Sequence, residues 1–171
     1  MSTRETYLAD HPLDPLVRIE EMETSSITGP DVIDLWVGEA ALPPDEATRR
    51  LSEVLLVAIE GDTGGLAGVF TAGLRPSERL GLTMWYARAF VSSSWRTSNV
   101  ASHLLDRGRA LLEQRFVEGT DRRAPGMWLD VENEGLKRAR PEAVWPLGFT
   151  FIGENRRGDH VRVLWFEGAT I

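Results

Sequence analysis

The chain has 171 residues, 42% of them hydrophobic and 26% charged, which is enough for one packed domain and too apolar for a disordered one. A net charge of -7 and a pI of about 5.0 argue against a nucleic-acid surface, which carries a basic patch, and favour solubility and cationic partners. The absence of cysteine excludes disulfides, thiolate nucleophiles and zinc–cysteine sites, and no apolar run is long enough for a membrane span or a secretory leader, so the chain reads as cytoplasmic, with no membrane or nucleic-acid partner.

Residues 1–15 are polar and contain Pro12 and Pro15, which predicts a flexible lead-in, with a single domain over 16–171. Leu16 to Glu20 alternates weakly, as a first strand would. Thr28 or Asp31 can cap a helix with Pro30 near its start and Val32, Ile33, Leu35, Trp36 and Val37 as its apolar positions. A second helix follows "AALPP", with Asp45 and Glu46 in its first turn and Arg49 and Arg50 in its last, as the helix dipole prefers. "VLLVAIE" (54–60) and "LAGVFTAG" (66–73) form a hairpin around "GDTGG". A phosphate-loop reading of "GDTGGLAG" fails, because it lacks the GK[ST] ending and runs into β-type residues. "LRPSERLG" is a loop and "LTMWYARAFV" (82–91) a long strand.

The next helix is the clearest in the chain. Ala101, Leu104, Leu105, Gly108, Leu111, Leu112 and Phe116 recur at helical spacing, with His103, Asp106, Arg107 and Glu113 on the opposite face. Glycine at 108 costs about 1 kcal/mol relative to alanine, which predicts close packing there. "GMWLDV" (126–131) is a short strand, and a helical segment runs from about Glu134 to Trp145. "FTFIG" (149–153) and "VRVLWFEG" (161–168) are the last strands, flanking a turn at "ENRRGD". The order β-α-α-β-β-β-α-β-α-β-β predicts an α/β arrangement on a mixed sheet.

The junction "AFVSSSWRTSNVASHLL" joins an apolar strand to this helix through a polar loop. The start of a helix leaves backbone N–H groups without partners and carries partial positive charge, which suits an anion. Thr97, Ser98, Asn99 and Ala101 are small or turn-tolerant, Asn99 accepts left-handed backbone angles, and Arg96 adds a cation. Taken alone, the same residues also describe an ordinary capped helix, with Ser98 or Asn99 as N-cap.

The spacing resembles the acyl-CoA-binding segment of the GNAT superfamily of acetyl-CoA-dependent N-acetyltransferases. There a strand ends in valine and Gln/Arg-x-x-Gly-x-Gly/Ala follows five residues later; here Val91 precedes Arg96-Thr97-Ser98-Asn99-Val100-Ala101. Asn99 replaces the first glycine. "MWLDVENEG" is similar to the family's fifth strand with its following asparagine, and "WPLGFTFIG" to the Tyr-x-x-x-Gly-Phe ending of the next helix. The resemblance implies a mixed, mostly antiparallel sheet of six to seven strands flanked by about four helices. It implies acetyl-CoA as co-substrate, a primary amine of a small molecule or peptide as acceptor, and a homodimer by family habit. It assigns the main chain at Val91 to the pantetheine arm, the amides of Arg96, Thr97, Ser98, Asn99, Val100 and Ala101 to the pyrophosphate, and Asn133 to the arm. Asn133 reads equally well as a helix cap beside Glu134.

Acyl transfer needs an amine relieved of its proton, a donor for the oxyanion and an acid for the thiolate. The family's usual glutamate has no counterpart in Met84 to Arg88, and its tyrosine position, four residues before Gly148, holds Val144. Tyr86 is the tyrosine near the expected site, facing substrate or packing in the sheet. Glu39, Asp130 and Glu132 stand unranked as further candidates. Trp36, Trp85, Trp128 and Trp145 fit either an aromatic cleft or core packing, and His11, His103 and His160 match no metal spacing. The alternative function is a diverged, non-catalytic module that binds CoA or another ligand, favoured by Asn99 and Val144.

Overall fold

Each strand expected from the apolar pattern is present in the computed structural model, which describes residues 1–171. In chain order the elements are α1 (Thr3–Asp10), β1 (Val17–Glu21), α2 (Gly29–Gly38), α3 (Pro44–Arg50), β2 (Val54–Glu60), β3 (Leu66–Ser77) and β4 (Leu82–Val91). They continue with α4 (Val100–Glu118), β5 (Gly126–Val131), α5 (Glu134–Ala139), β6 (Thr150–Glu154) and β7 (His160–Trp165). The seven strands form one sheet in the order β1-β2-β3-β4-β5-β7-β6. The pairs β1–β2, β2–β3, β5–β7 and β6–β7 are antiparallel, and β4–β5 is parallel, in register at Trp85↔Met127 and Tyr86↔Trp128. This is the mixed, mostly antiparallel sheet anticipated, with five helices instead of about four. No helix is long and apolar enough to cross a membrane.

Four local expectations change. The lead-in contains helix α1, started by a reciprocal Ser-x-x-Glu cap: Glu5 N donates to Ser2 Oγ at 3.2 Å and Ser2 N to Glu5 Oε2 at 2.7 Å. β3 runs on to Ser77, and the loop after it closes when Gly81, at φ 66°, donates its N–H to Ser77 O at 2.8 Å. α5 stops at Ala139 instead of reaching Trp145, because Pro141 disfavours helical geometry at the residue before it and Pro146 cannot continue a helix. Residues 145–149 make a turn instead, with Gly148 N donating to Trp145 O and Trp145 N to Phe149 O. On α4, Asp106 is buried and Ala101 is exposed, so the burial stripe is carried by Val100, Leu104 and Leu112.

The chain divides into two compact units. The first comprises His11–Ala72 and Arg88–Gly108. Its core is Ile27, Val32, Trp36, Ala47, Val54, Val57, Ile59 and Val69. α2 begins at a capping box between Thr28 and Asp31 with Pro30 in its first turn, as the sequence predicts. α4 lies so close to β3 that a Cβ on Gly108 would stand 2.3 Å from the Phe70 ring, which explains a glycine in mid-helix. Full burial of Phe70 and Leu104 offsets its low helix propensity.

The second unit comprises Met1–Asp10, Gly73–Ala87 and Arg109–Ile171. Met84, Met127, Phe149, Val163 and Phe166 fill its core. Arg162 is buried there at 1% exposure, with its guanidinium 4.2 Å from the Trp145 ring and donors on the carbonyls of Ala143, Phe149 and Arg140. Burial lowers its pKa from the ordinary arginine value. Arg140 lies over the ring of Tyr7, at 4.8 Å, which ties α1 into this unit.

Candidate functional site

In the first unit, the strand-to-helix junction is a built structure. Val91 is buried at the end of β4, and Ser92 N donates to Ala67 O at 2.8 Å. The carboxylate of Glu39, just past α2, then gathers the start of the loop. It accepts from Ser92 Oγ at 2.7 Å, from Ser93 N at 2.9 and 3.0 Å, and from Ser93 Oγ at 3.2 Å. Arg96 Nη2 lies 3.6 Å from the same carboxylate. These bonds, led by that from Ser92, hold the Glu39 pKa below the ordinary glutamate value, so it is ionised at neutral pH. Nothing in local spacing identifies Glu39 as the partner, because 53 residues separate it from Ser92.

Past the single turn at Ser93–Trp95 the loop tightens. Ser98 N donates to Trp95 O at 3.2 Å, and Ser98 Oγ bonds the same carbonyl, so this amide is turned inward. Asn99 adopts a left-handed φ of 60°, where a glycine is usual and asparagine is tolerated. Its Nδ2 donates to Pro12 O at 3.1 Å, and His103 Nε2 lies 2.9 Å from His11 O, so residues 11–12 brace the start of α4. Helical bonding begins with His103 N to Asn99 O at 3.2 Å, which leaves the amides of Val100 and Ala101 ahead of the first intrahelical bond. Arg96, Thr97 and Ala101 are exposed, while Val100 is buried. The arrangement can present amides and a positive helix end to an anion; Ser98 stands apart through its inward bond.

In the second unit, β5 alternates. Met127, Leu129 and Val131 are buried in the core, while Trp128 and Asp130 share the opposite, half-buried face. Tyr86, in register with Trp128 on β4, stacks on its indole at 4.3 Å and donates its hydroxyl to Asp130 Oδ2 at 3.3 Å. Trp128 and Asp130 line an open cleft of about 890 Å³ with Glu78, Arg79, Arg156 and Val161. Arg79 supports its wall, donating to Ile152 O at 2.8 Å and to Glu154 O. It can do so because Gly153, at φ 124°, has no Cβ; one would lie 2.3 Å from Arg79 Nη1. Two polar atoms in the cleft wall, Trp128 Nε1 and Asp130 Oδ1, are buried and have no hydrogen-bond partner in the chain. Each such atom costs about 1–3 kcal/mol. Burial also raises the Asp130 pKa, the Tyr86 hydroxyl opposing it.

The sequence candidates therefore separate. Tyr86 packs against Trp128 and binds Asp130, Glu39 belongs to the junction, and Glu132 is an exposed partner of Arg157 at 3.3 Å. Asn133 Oδ1 accepts from Leu136 N at 2.9 Å, capping α5. Val144 is exposed and bridges Thr150. Trp36, Trp85 and Trp145 belong to the core, and Trp128 lines the cleft.

The fold of this chain has counterparts among solved structures. An acetyltransferase of the GNAT family from Streptococcus pneumoniae superposes with a TM-score of 0.58 at 13% identity, over 88% of this chain and 99% of that one. The chain has the GNAT fold. A ribosomal-protein-S5-alanine acetyltransferase from Vibrio fischeri is similar over 92% of this chain and 97% of that one, with a TM-score of 0.60 and 10% identity. An aminoglycoside 6'-N-acetyltransferase complexed with coenzyme A covers 86% and 96%, with a TM-score of 0.54 and 16% identity. Identities this low show the GNAT fold and leave the chemistry to be argued. No model of a known protein family matches the chain, and no curated protein matches it significantly.

Proposed function

We propose that this protein is a divergent N-acyltransferase that moves an acetyl or similar acyl group from acyl-CoA to a primary amine, with residues 16–171 as its working domain. The observation that carries the reading is the left-handed Asn99 where the GNAT segment has glycine: the loop keeps the glycine conformation without the glycine. In this reading the main chain at Val91 pairs with the pantetheine arm, and the amides of Arg96, Thr97, Asn99, Val100 and Ala101 face the pyrophosphate, aided by the Arg96 cation. The Ser98 amide contributes least, since it already donates to Trp95 O. Asn133 keeps its Nδ2 for the arm while Oδ1 caps α5. Tyr86 is the proposed acid, its O–H turning from Asp130 Oδ2 to the departing thiolate.

Positioning a thioester beside an amine supplies much of the rate of such a transfer, so the valine at 144 does not remove the chemistry. The exposed Val144 does favour the second reading, a GNAT-fold module that binds CoA without turnover. Calorimetry with CoA and acetyl-CoA tests the binding both readings share. Thiol release from acetyl-CoA with a panel of primary amines separates them: the first reading requires amine-dependent release, and the second requires binding with none. Absence of CoA binding at millimolar concentration removes both.

A further inference from the structure

The cleft on β5 contains a donor and an acceptor that the chain does not satisfy. Trp128 Nε1–H and Asp130 Oδ1 are buried, unpartnered and two residues apart on one strand face. Asp130 spends its other oxygen, Oδ2, on the Tyr86 hydroxyl. We propose that these two atoms form a recognition site for a primary amine with an oxygen close to its amino group: the ammonium donates to Asp130 Oδ1 and the oxygen accepts from Trp128 Nε1.

Geometry and chemistry select this ligand class. Only one carboxylate oxygen remains, so the site suits a compact ammonium better than a guanidinium, whose planar fork wants two oxygens. A divalent cation would want several converging oxygen ligands, and no group of three or more acidic or histidine side chains in the chain is placed to hold one. The stacked Tyr86–Trp128 pair adds aromatic faces that favour a cation. A ligand that carries a nitrogen donor and an oxygen acceptor close together can satisfy both orphaned atoms at once. A simple alkylamine fills only the Asp130 end, and a simple amide brings no charge to it. A peptide N-terminus and an amino sugar both carry the required pair. The proposal names the acceptor for the acyl-transfer reading and rests on it for the fate of the amine, though not for its binding.

The test is a titration of the full-length ¹⁵N-labelled protein, watching the indole N–H resonance of Trp128, assigned by its loss in Trp128→Phe. The probes are glycinamide for the peptide-type amine, glucosamine for the sugar type, propylamine without the oxygen, and propanamide without the charge. Glycinamide or glucosamine should move the resonance, and which of them does identifies the source. Propylamine, without the oxygen, and propanamide, without the charge, should each bind at least about tenfold more weakly. Asp130→Asn should weaken the response at least about tenfold, and by calorimetry Trp128→Phe should erase the preference over propylamine. The other indole resonances report whether each variant is folded, and the wild-type panel decides the matter without any variant. No shift with either oxygen-bearing amine at about 50 mM, equal binding of propylamine, or an unaffected Asp130→Asn overturns the proposal. Amine binding without CoA binding would sink the acyl-transfer reading and spare this one, and the reverse result would do the opposite.

Discussion

At the junction, one carboxylate gathers the loose ends: Glu39 takes the Ser92 hydroxyl and both polar hydrogens of Ser93, and Asn99 is tied to Pro12. On the cleft face of β5 the opposite holds, for Trp128 Nε1 and Asp130 Oδ1 are buried with no partner in the chain. A loop that completes its own bonds keeps its shape before any ligand arrives, which is what a cradle for a flexible diphosphate requires. A wall that leaves bonds open discriminates among ligands, because only one that supplies both partners relieves both costs. The two regions thus suit the two halves of the proposed reaction: a preformed grip on the shared co-substrate and a selective grip on the acceptor.

The sharpest way to break the junction half is Asn99→Val. A β-branched residue at φ 60° costs about 1–2 kcal/mol, and the bond to Pro12 is lost as well. The melting temperature should fall by about 2–8 °C. Acetyl-CoA affinity should drop at least about tenfold, while Asn99→Gly, which suits the same backbone, should retain it. Equal CoA affinity in the valine variant would show that the left-handed turn does not shape the anion site.

The cleft half predicts a smaller effect of opposite sign. Burial raises the folded-state pKa of Asp130 above its ordinary value of 3.8, so ionisation costs stability, and that cost is complete above the raised value. Asp130→Asn should therefore be more stable than the parent at pH 7, by about 2 °C for a group only partly withdrawn from water. The gain should vanish as pH falls below 3.8. Stability gained where amine binding is lost is the mark of a polar group kept for function. A destabilised Asn variant at pH 7 would instead make Asp130 a structural residue.

The sequence discloses these regions unequally. The strands and the main helix are legible because they rest on periodicity, which survives any substitution that keeps a residue apolar. The capping of α1 has a local signature in Ser2-x-x-Glu5, which a reading of residues 1–15 by polarity and proline content alone passes over. The cleft was half visible: the alternation of "GMWLDV" places Trp128 and Asp130 on one face, yet only pairing with β4 brings Tyr86 onto that pair. Asp106 shows the limit of periodicity, since helical spacing assigns it a polar face that the fold buries. Glu39 stands among the sequence candidates, but its partnership with Ser92 is beyond reach, because a contact across 53 residues is fixed by topology and has no local signature.

Glu39 also supplies the finest test of the junction. Its folded-state pKa is depressed, chiefly by the bond from Ser92, so it contributes stability above its ordinary value of 4.5 and loses it as pH falls through the lower folded value. Glu39→Gln should be slightly less stable than the parent at pH 7, with the two melting curves converging on acidification below 4.5. The same substitution removes a negative charge beside Arg96, 3.6 Å away, and frees that cation for a diphosphate. Acetyl-CoA affinity should then rise about two- to threefold at low salt and converge with the parent as salt screens the charge. A stability gap that persists unchanged throughout acidification would assign the anchoring of Ser92 and Ser93 to shape alone, and the charge of Glu39 would have no part in it.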